Sequence, residues 1–457
     1  MAKGNRGLVM LAVFIATFMT SVEVTIVTTA LPAIIAALHG LAWQSWIMAA
    51  YLLTTAVTTP IYGKLADAYG RKPLFTWGVA VFTLGSLGSG LAPSILWLIA
   101  ARAVQGIGAG AVMPLTFTII ADFFDYAHRA QVLALNNTAW GLSALIGPLL
   151  GGFLVDRLSW HWVFFVNVPL GVVVLGLVAF GYHETVTPKP LHLDGLGIAW
   201  LSVALVSLLL AVQVLATHWV VALGLLVVAV AAAIGLCRQE QKAPEPLIAP
   251  ALFTSRTFSI QILTAAILSG VLIAYQVYFP IWLQALYHSG ATQAGLVVSS
   301  SSVMWLAASF AVAWLLRHMV PRKLTLIVTS VQWVFYAVLV FSGRGFPAWG
   351  FYVIAAVNGA GMGIVISMNT VLSQHLAPDA LVGSATALLT LGRSLGQTVM
   401  TGIYGAILNM VLNAWRGPVS MAALNRAVAG HAAAPQTQSV LLAALHAVFI
   451  GLCVKWC

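Results

Sequence analysis

The segment GKLADAYGRK, residues 63–72, separates the second and third long apolar runs of the chain. Gly63 and Gly70 favour a tight turn, because glycine adopts backbone conformations that other residues avoid. The cations at the end of the segment suit the phosphate level of a bilayer, and Asp67 can meet the positive end of a helix. The segment therefore predicts a short cytoplasmic connection between two membrane-spanning helices.

The chain on both sides of this segment is strongly apolar. Of its 457 residues, 61% are hydrophobic and 7% are charged, which excludes a water-soluble fold. A bilayer core needs roughly 20 apolar residues for each helix, and runs of that kind recur about fourteen times. Because backbone amides in hydrocarbon must be satisfied within their own segment, we predict an all-α polytopic membrane protein.

The formal charge of +10 is spread over many short loops, so nucleic acid is not an expected partner. With the N-terminus inside, most of the 20 lysines and arginines fall in cytoplasmic segments, in agreement with the positive-inside rule. We therefore expect a multi-pass protein of the bacterial cytoplasmic (inner) membrane with both termini in the cytoplasm. The cysteines and histidines show no metal-ligand spacing, so neither a metal nor a cofactor is expected.

The predicted spans form a group of six, a pair and a second group of six. The first six are 8–38, 43–63, 74–92, 94–117, 131–154 and 163–182. The pair is 196–215 and 220–236, and the last six are 258–286, 293–316, 324–342, 350–372, 383–409 and 438–456. We predict an N-terminal half at 1–182, two inserted helices with a cytoplasmic linker at 183–257, and a C-terminal half at 258–457.

An internal repeat supports this division. Gln105-Gly106-x-Gly108-x-Gly110 in the fourth span recurs as Asn358-Gly359-x-Gly361-x-Gly363 in the twelfth. No strand precedes either copy, so the glycines indicate close packing between helices and not a dinucleotide site. Transporters that work by alternating access have two repeated halves, with the substrate site near the bilayer midplane between them.

Two of these segments resemble motifs of the major facilitator superfamily. Residues 63–72 are similar to its signature loop, although Ala68 stands where the family usually has a cation. Residues 98–106 resemble its fourth-helix motif, whose arginine, here Arg102, is linked to proton movement. A charge in hydrocarbon costs about 3 kcal/mol or more, so Arg102 should face a cavity or a partner; backbone carbonyls could also satisfy it in a structural role. The resemblance implies a conformational switch at Gly63, Asp67, Gly70, Arg71 and Lys72.

The fifth span carries residues 147–152, GPLLGG, which look like the motif of the antiporter, or exporter, branches of the superfamily. Small residues permit a close helix crossing and the proline bends the helix, which suits a pivot between the halves. The alternative is packing without any meaning for transport direction. The resemblance extends the expected conformational switch to Gly147, Pro148, Gly151 and Gly152.

The first span, at residues 22–32, is similar to the fourteen-span drug:proton antiporter branch. Glu23 replaces the usual aspartate and Thr28 the usual asparagine. Residues 160–171 also resemble that branch, although the tryptophans there favour an interfacial belt. The resemblance implies the major facilitator fold, with two six-helix halves plus two extra helices, and a proton-coupled exporter of lipophilic, cationic or neutral drug-like compounds.

Glu23 is the acid that we place deep in the bilayer, and we predict that it carries the proton while Arg102 adjusts its affinity. The alternative is a structural Glu23 that stays paired with Arg102. Residues with lower priority for this role are Asp122, Asp125 and Arg393. Drug sites are mostly apolar with a few polar anchors, and the candidates for those anchors are Tyr51, Asn137, Trp140, Gln276 and Asn369.

Other functions fit the sequence less well. A metabolite or lipid carrier on the same fold, exporting or importing, is the main alternative. A membrane enzyme would need several catalytic groups in the membrane, where only Glu23 is available, and a channel does not fit the two-half repeat. We find no phosphate-binding loop, so an ion gradient should drive transport. The expected partners are a small-molecule substrate, protons and lipid, and the expected state is a monomer.

Overall fold

A computed structural model of the chain describes residues 3–124, 126–184, 194–215, 218–242, 255–343, 345–376, 382–415, 417–428, 430–431 and 434–454. Among the predicted site residues, Asp125 lies outside the described residues, and so do the side chains of Asp67 and Asn137. The described chain is almost entirely helical.

Nine α-helices precede residue 255 in the part of the chain that the structure describes. They are α1 (Arg6–Ala37), α2 (Gln44–Tyr69), α3 (Arg71–Gly90), α4 (Ile95–Phe123), α5 (Tyr126–Arg157), α6 (Trp162–Phe165), α7 (Asn167–Gly181), α8 (Gly195–Val214) and α9 (Trp219–Glu240). Seven follow in the described remainder. They are α10 (Arg256–Tyr287), α11 (Ala291–His318), α12 (Pro321–Phe341), α13 (Ala348–Leu376), α14 (Val382–Trp415), α15 (Met421–Val428) and α16 (Pro435–Val454).

Each predicted span overlaps an α-helix of the structure, except that the sixth span overlaps two, α6 and α7. Most helices extend beyond the predicted apolar cores, because a membrane helix continues through the headgroup layer after its hydrocarbon-spanning part ends. In the described residues, 11 helices are long and apolar enough to cross a membrane. The prediction of a polytopic helical membrane protein is confirmed, and the number of fourteen spans stays a prediction.

Three local features differ from the predictions. The sixth span is broken at Val166, so that α6 ends at Phe165 and α7 begins at Asn167. A short helix, α15, occupies the loop that we expected between the last two spans. Lys3–Gly4 (β1) pairs antiparallel with Tyr182–His183 (β2), which adds a two-residue strand pair to the all-α architecture.

The turn predicted at residues 63–72 is shorter than expected. α2 continues through Gly63 to Tyr69, because the residues between the two glycines are compatible with a helix. Gly70 alone makes the turn, with a φ of 91° that an L side chain rarely adopts. α3 then begins at Arg71.

The chain divides into two compact units. Unit 1 comprises Met1–Val27, Trp46–Val206 and Val228–Leu247, and unit 2 comprises Thr28–Ser45, Ser207–Val227 and Ile248–Cys457. α1 therefore begins in unit 1 and ends in unit 2, and α8 and α9 are each divided between the units. The predicted domain boundaries at 1–182, 183–257 and 258–457 stay a prediction.

The repeated glycines bring helices together within each unit. In unit 1, a Cβ atom at Gly106 would overlap the backbone carbonyl of Tyr51 on α2. In unit 2, a Cβ atom at Gly359 would overlap the backbone carbonyl of Ser301 on α11. Each copy of the repeat thus marks a crossing where two backbones approach too closely for any larger residue.

Candidate functional site

A buried ion pair between α1 and α4 lies within unit 1. Nη1 of Arg102 donates to Oε1 of Glu23, and both side chains have no exposed surface. Charges are stable in such surroundings only when they are paired and hydrogen-bonded. The structure therefore brings the two predicted proton-coupling residues into direct contact.

The Arg102 guanidinium has further partners that fix its position. Nε donates to the carbonyl oxygen of Ile47 at 3.1 Å, and Nη1 also donates to Oε1 of Gln105 at 2.8 Å. The guanidinium carbon lies 4.4 Å from the centre of the Tyr51 ring, in a cation–π arrangement. Nη2 has no hydrogen-bond partner in the described structure. The guanidinium is thus held through Nε and Nη1, and the two N–H groups of Nη2 have no described partner.

Asn167 supplies the second contact to the carboxylate. Its Nδ2 donates to Oε2 of Glu23 at 2.5 Å, and its side chain is fully buried. The break at Val166 makes Asn167 the first residue of α7, and Pro169 stands in the same first turn, where its missing N–H costs no hydrogen bond. The sixth span therefore reaches Glu23 through a helix start.

A second route of hydrogen bonds connects the sixth span to Arg102. Nε2 of Gln105 donates to Oγ of Ser86 at 3.1 Å, and Oγ of Ser86 donates to the carbonyl oxygen of Phe164 at 2.9 Å. Gln105 also accepts from Arg102, so hydrogen bonds connect Glu23 through Arg102, Gln105 and Ser86 to the α6–α7 junction. Asn167 at this junction donates back to Glu23 and closes the circuit. The circuit around the carboxylate thus includes groups of α3, α4, α6 and α7.

Sequence reasoning missed part of this circuit. It singled out Gln105 as part of a packing motif, and it interpreted the segment around Asn167 as an interfacial belt. The available signal was polarity, because Ser86, Gln105 and Asn167 are amide or hydroxyl residues within apolar runs and are fully buried. Buried polar groups need partners, so these residues marked places where helices meet around a polar site.

The predicted substrate residues whose side chains are described lie in both units. Tyr51 lies at the ion pair, where its hydroxyl donates to the carbonyl oxygen of Thr20 at 3.2 Å. Trp140 on α5 is 42% exposed. Gln276 and Asn369 are buried in unit 2, and Nδ2 of Asn369 has no partner in the described structure. Their role in substrate binding stays a prediction.

The turn before α3 is held by an acid that we did not predict. Glu184 follows the sixth span, and its Oε1 and Oε2 accept from the backbone N–H groups of Arg71 at 2.9 Å and Lys72 at 2.7 Å. A carboxylate at a helix N-terminus satisfies unpaired donors and complements the helix dipole. Of the predicted switch residues, Arg71 also pairs with Asp122 at 3.4 Å, and Nζ of Lys72 donates to the carbonyl oxygen of Ala179 at 3.4 Å.

Tyr182 lies beside this cluster, against the ring of Phe123. Burial raises the pKa of the Tyr182 hydroxyl above its usual range, and the nearby carboxylates Glu184 and Asp122 act in the same direction. The hydroxyl oxygen has no hydrogen-bond partner in the described structure. Tyr182 is therefore a neutral packing residue at any physiological pH.

The fifth-span motif lies next to Glu23. A Cβ atom at Gly147 would overlap Oγ1 of Thr25, which donates to the carbonyl oxygen of Ser143 at 3.1 Å. Pro148 is inside α5, and Gly151 and Gly152 are buried. Thus α5 crosses α1 one helical turn or less from the ion pair. Among the lower-priority residues, Arg393 is in α14, and its Nε is buried without a partner in the described structure.

The described residues contain no group of three or more His, Cys, Asp and Glu side chains that could hold a metal ion. The side chains described around Glu23 supply a carboxylate, a guanidinium, amides and hydroxyls.

Comparison with known proteins gives the family. A family model described as the Major Facilitator Superfamily matches residues 13–401. The chain belongs to the Major Facilitator Superfamily. Multidrug resistance protein 3 of Bacillus subtilis is 32% identical over 87% of the chain and 79% of its own length. The multidrug transporter protein MdtP of the same species is 30% identical over 89% of the chain and 76% of its own length.

A solved structure agrees with this membership. The crystal structure of a D-xylose-proton symporter matches with a TM-score of 0.63 and 14% identity, over 96% of the chain and 97% of the symporter. At that identity the likeness shows the fold alone. The major facilitator fold and a transporter, as opposed to an enzyme, are thus confirmed. The assignment to the fourteen-span branch of the superfamily stays a prediction.

Proposed function

We propose that the protein is a proton-coupled exporter of lipophilic, cationic or neutral drug-like compounds that works by alternating access. The two Bacillus subtilis relatives are named for multidrug resistance and multidrug transport, which supports a drug-like substrate. The fifth-span motif at residues 147–152 supports export as the direction. We further propose a monomer in the bacterial cytoplasmic membrane with both termini inside, as the distribution of cations indicates.

The observation that carries the proposal is the fully buried ion pair of Glu23 and Arg102. A carboxylate in the membrane interior is expensive, and it is commonly found on a substrate, ion or proton pathway. Protonation of Glu23 removes its negative charge and so weakens its attraction to Arg102. If the pair is open to one side of the membrane and then to the other, Glu23 can bind a proton on the first side and release it on the second.

Tyr51 couples substrate binding to the protonation state of Glu23. A cation–π contact holds the Tyr51 ring against Arg102, so a ligand that binds beside Tyr51 lies close to the ion pair. A lipophilic cation there adds positive charge near the Glu23 carboxylate and favours its ionised form. Binding of the cation and deprotonation of Glu23 then favour each other, which is the coupling that an antiporter requires.

Everted membrane vesicles test the proposal. Respiration acidifies their interior, so an exporter should accumulate a cationic dye such as ethidium inside, and a protonophore should abolish the uptake. Glu23→Gln keeps the side-chain volume and should abolish gradient-driven uptake, whereas Glu23→Asp should retain part of it. Asp156→Asn, at an exposed carboxylate, is the control and should transport like the parent. Uptake that survives the protonophore, or full uptake by Glu23→Gln, would refute proton coupling at Glu23.

A further inference from the structure

We propose that Asn167 is a positioning residue whose side-chain amide rotates by about 180° when Glu23 gains or loses its proton. The inference rests on the proposed function, because it assigns a role in proton coupling to a residue beside Glu23. Nothing in the sequence motifs suggested this role. The observations that carry it are the hydrogen bond from Asn167 to Glu23 and the unpartnered amide oxygen on the same side chain.

The geometry presents one end of the amide to the carboxylate. Nδ2 of Asn167 donates to Oε2 of Glu23 at 2.5 Å. Oδ1 of the same amide is buried and has no hydrogen-bond partner in the described structure. An unpartnered buried acceptor is unfavourable and needs a reason. A second state in which this oxygen does accept a hydrogen bond supplies that reason.

The chemistry of the two protonation states requires both ends of the amide. An ionised carboxylate oxygen only accepts, so it suits the N–H of Nδ2. A protonated oxygen becomes a donor and then needs an acceptor at the same place. Rotation of the Asn167 amide by about 180° puts Oδ1 where Nδ2 was, because the two ends of an amide have nearly the same shape. The rotation breaks no hydrogen bond to Oδ1, since that atom has none.

The other groups around Glu23 do not change role in this way, and the Gln105 amide, which also interacts with Glu23, is fixed by Arg102 and Ser86. A guanidinium is a donor only, so Oε1 opposite Arg102 remains an acceptor. Nε and Nη1 of Arg102 are held by Ile47 and Gln105. Tyr51, the remaining titratable group described at this site, directs its hydroxyl to Thr20. The proton therefore belongs on Oε2, the oxygen that faces Asn167.

The backbone keeps the amide in place while it reverses. Asn167 begins α7, and the carbonyl of Phe164 accepts from Ser86 one turn earlier. Because this junction is tied to Gln105 and Arg102 through Ser86, the Asn167 side chain can rotate without movement of the helix. The α6–α7 junction thus stays fixed, and the Asn167 amide changes between donating to Glu23 and accepting from it.

Variants of Asn167 test the proposal through a pH profile. The purified protein in detergent is mixed with ethidium, and proton release is followed at a series of starting pH values. Asn167→Leu has a similar shape but neither donates nor accepts, so the ionised form of Glu23 loses a charge-assisted hydrogen bond and the protonated form loses a weaker neutral one. The pH midpoint of release should rise by about one unit. Asn167→Asp accepts only and adds negative charge, so its midpoint should rise further.

Two controls separate the possible outcomes. Asn358→Leu removes a buried amide of unit 2 and should leave the midpoint unchanged. Glu23→Gln should release no proton, and if it releases as many as the parent, the proposed function itself fails. If Glu23→Gln is silent while both Asn167 variants keep the parent midpoint, only the role of Asn167 is overturned. Should Asn167→Leu fail to fold, Asn167→Asp alone decides, since the proposal requires its midpoint to rise.

Discussion

The fourth span and its repeat, α4 and α13, have the same glycine spacing but different polar partners. Gln105 in α4 accepts from Arg102 and donates to Ser86. Its counterpart Asn358 in α13 accepts from the hydroxyl of Tyr336 at 2.5 Å, among neutral groups only. Ala355 occupies the place in α13 that Arg102 has in α4. The crossing geometry is thus repeated, and the charge is not.

This difference assigns separate contributions to the two copies. Both copies allow a neighbouring helix to approach, through Gly106 in one and Gly359 in the other. The ionisable pair exists only in the N-terminal copy, and beyond residue 257 the sequence contains a single acid, Asp379. We therefore expect packing to depend equally on both copies and proton coupling to depend on the N-terminal copy.

The largest effect should come from the shared glycines. Gly106→Ala and Gly359→Ala each place a Cβ atom on a backbone carbonyl, which cannot move like a flexible side chain. Overpacking of this kind costs about 1–3 kcal/mol or more. Both variants should show a lower melting temperature in detergent and a lower yield of folded protein, to a similar extent.

Two glycines without close neighbours serve as matched controls for this comparison. A Cβ atom at Gly141 in α5 or at Gly224 in α9 would meet nothing within 4 Å. Alanine there should be neutral or stabilising by up to about 1 kcal/mol, because it has the higher helix propensity. A large loss at Gly106 with none at Gly359 would show that the repeat is not equivalent in packing.

The buried amides should separate stability from transport. Gln105→Leu and Asn358→Leu each remove a hydrogen-bonded amide and should lower the free energy of unfolding by about 1–3 kcal/mol. Gln105→Leu also releases one side of Arg102, so gradient-driven dye uptake per folded molecule should fall several-fold. Uptake by Asn358→Leu should match the parent after correction for the amount of folded protein. Equal losses of uptake would contradict the division between the copies.

The smallest effect is expected at the turns before α3 and α12. Glu184 caps α3 in unit 1, whereas the corresponding helix α12 in unit 2 begins at Pro321 without a side-chain cap. Glu184→Gln should lower stability by about 0.3–1 kcal/mol, because it removes a negative charge from a helix N-terminus. Differential scanning fluorimetry should detect a fall of no more than about 2 °C. The melting temperature of Glu184→Asp, which keeps the charge, should fall less than that of Glu184→Gln.

Much of the fold follows from the sequence because each membrane helix needs a long apolar run. The depth of Glu23 and Arg102 could be estimated for the same reason, and the structure brings them together. The break at Val166 was missed because hydropathy is continuous across it. Pro169 was the available signal, since proline is tolerated in the first turn of a helix.

The partners of the site could not be predicted in the same way. Glu184 contacts the backbone of Arg71 and Lys72, which are more than a hundred residues away in the sequence, and no spacing rule connects such positions. The circuit through Ser86 and Asn167 depends on how α3, α4 and α7 pack, which hydropathy does not encode. Sequence therefore indicated which residues are polar in the membrane but not which of them meet.

Proton release from the purified protein distinguishes coupling at Glu23 from coupling elsewhere in the chain. Ethidium is added to detergent-solubilised protein in weakly buffered solution, and a pH indicator reports the protons released. The account predicts release from the parent and from Asp379→Asn, whose acid is the single one in the C-terminal half, and none from Glu23→Gln. Undiminished release from Glu23→Gln, or release that disappears in Asp379→Asn, would contradict proton coupling in the N-terminal copy.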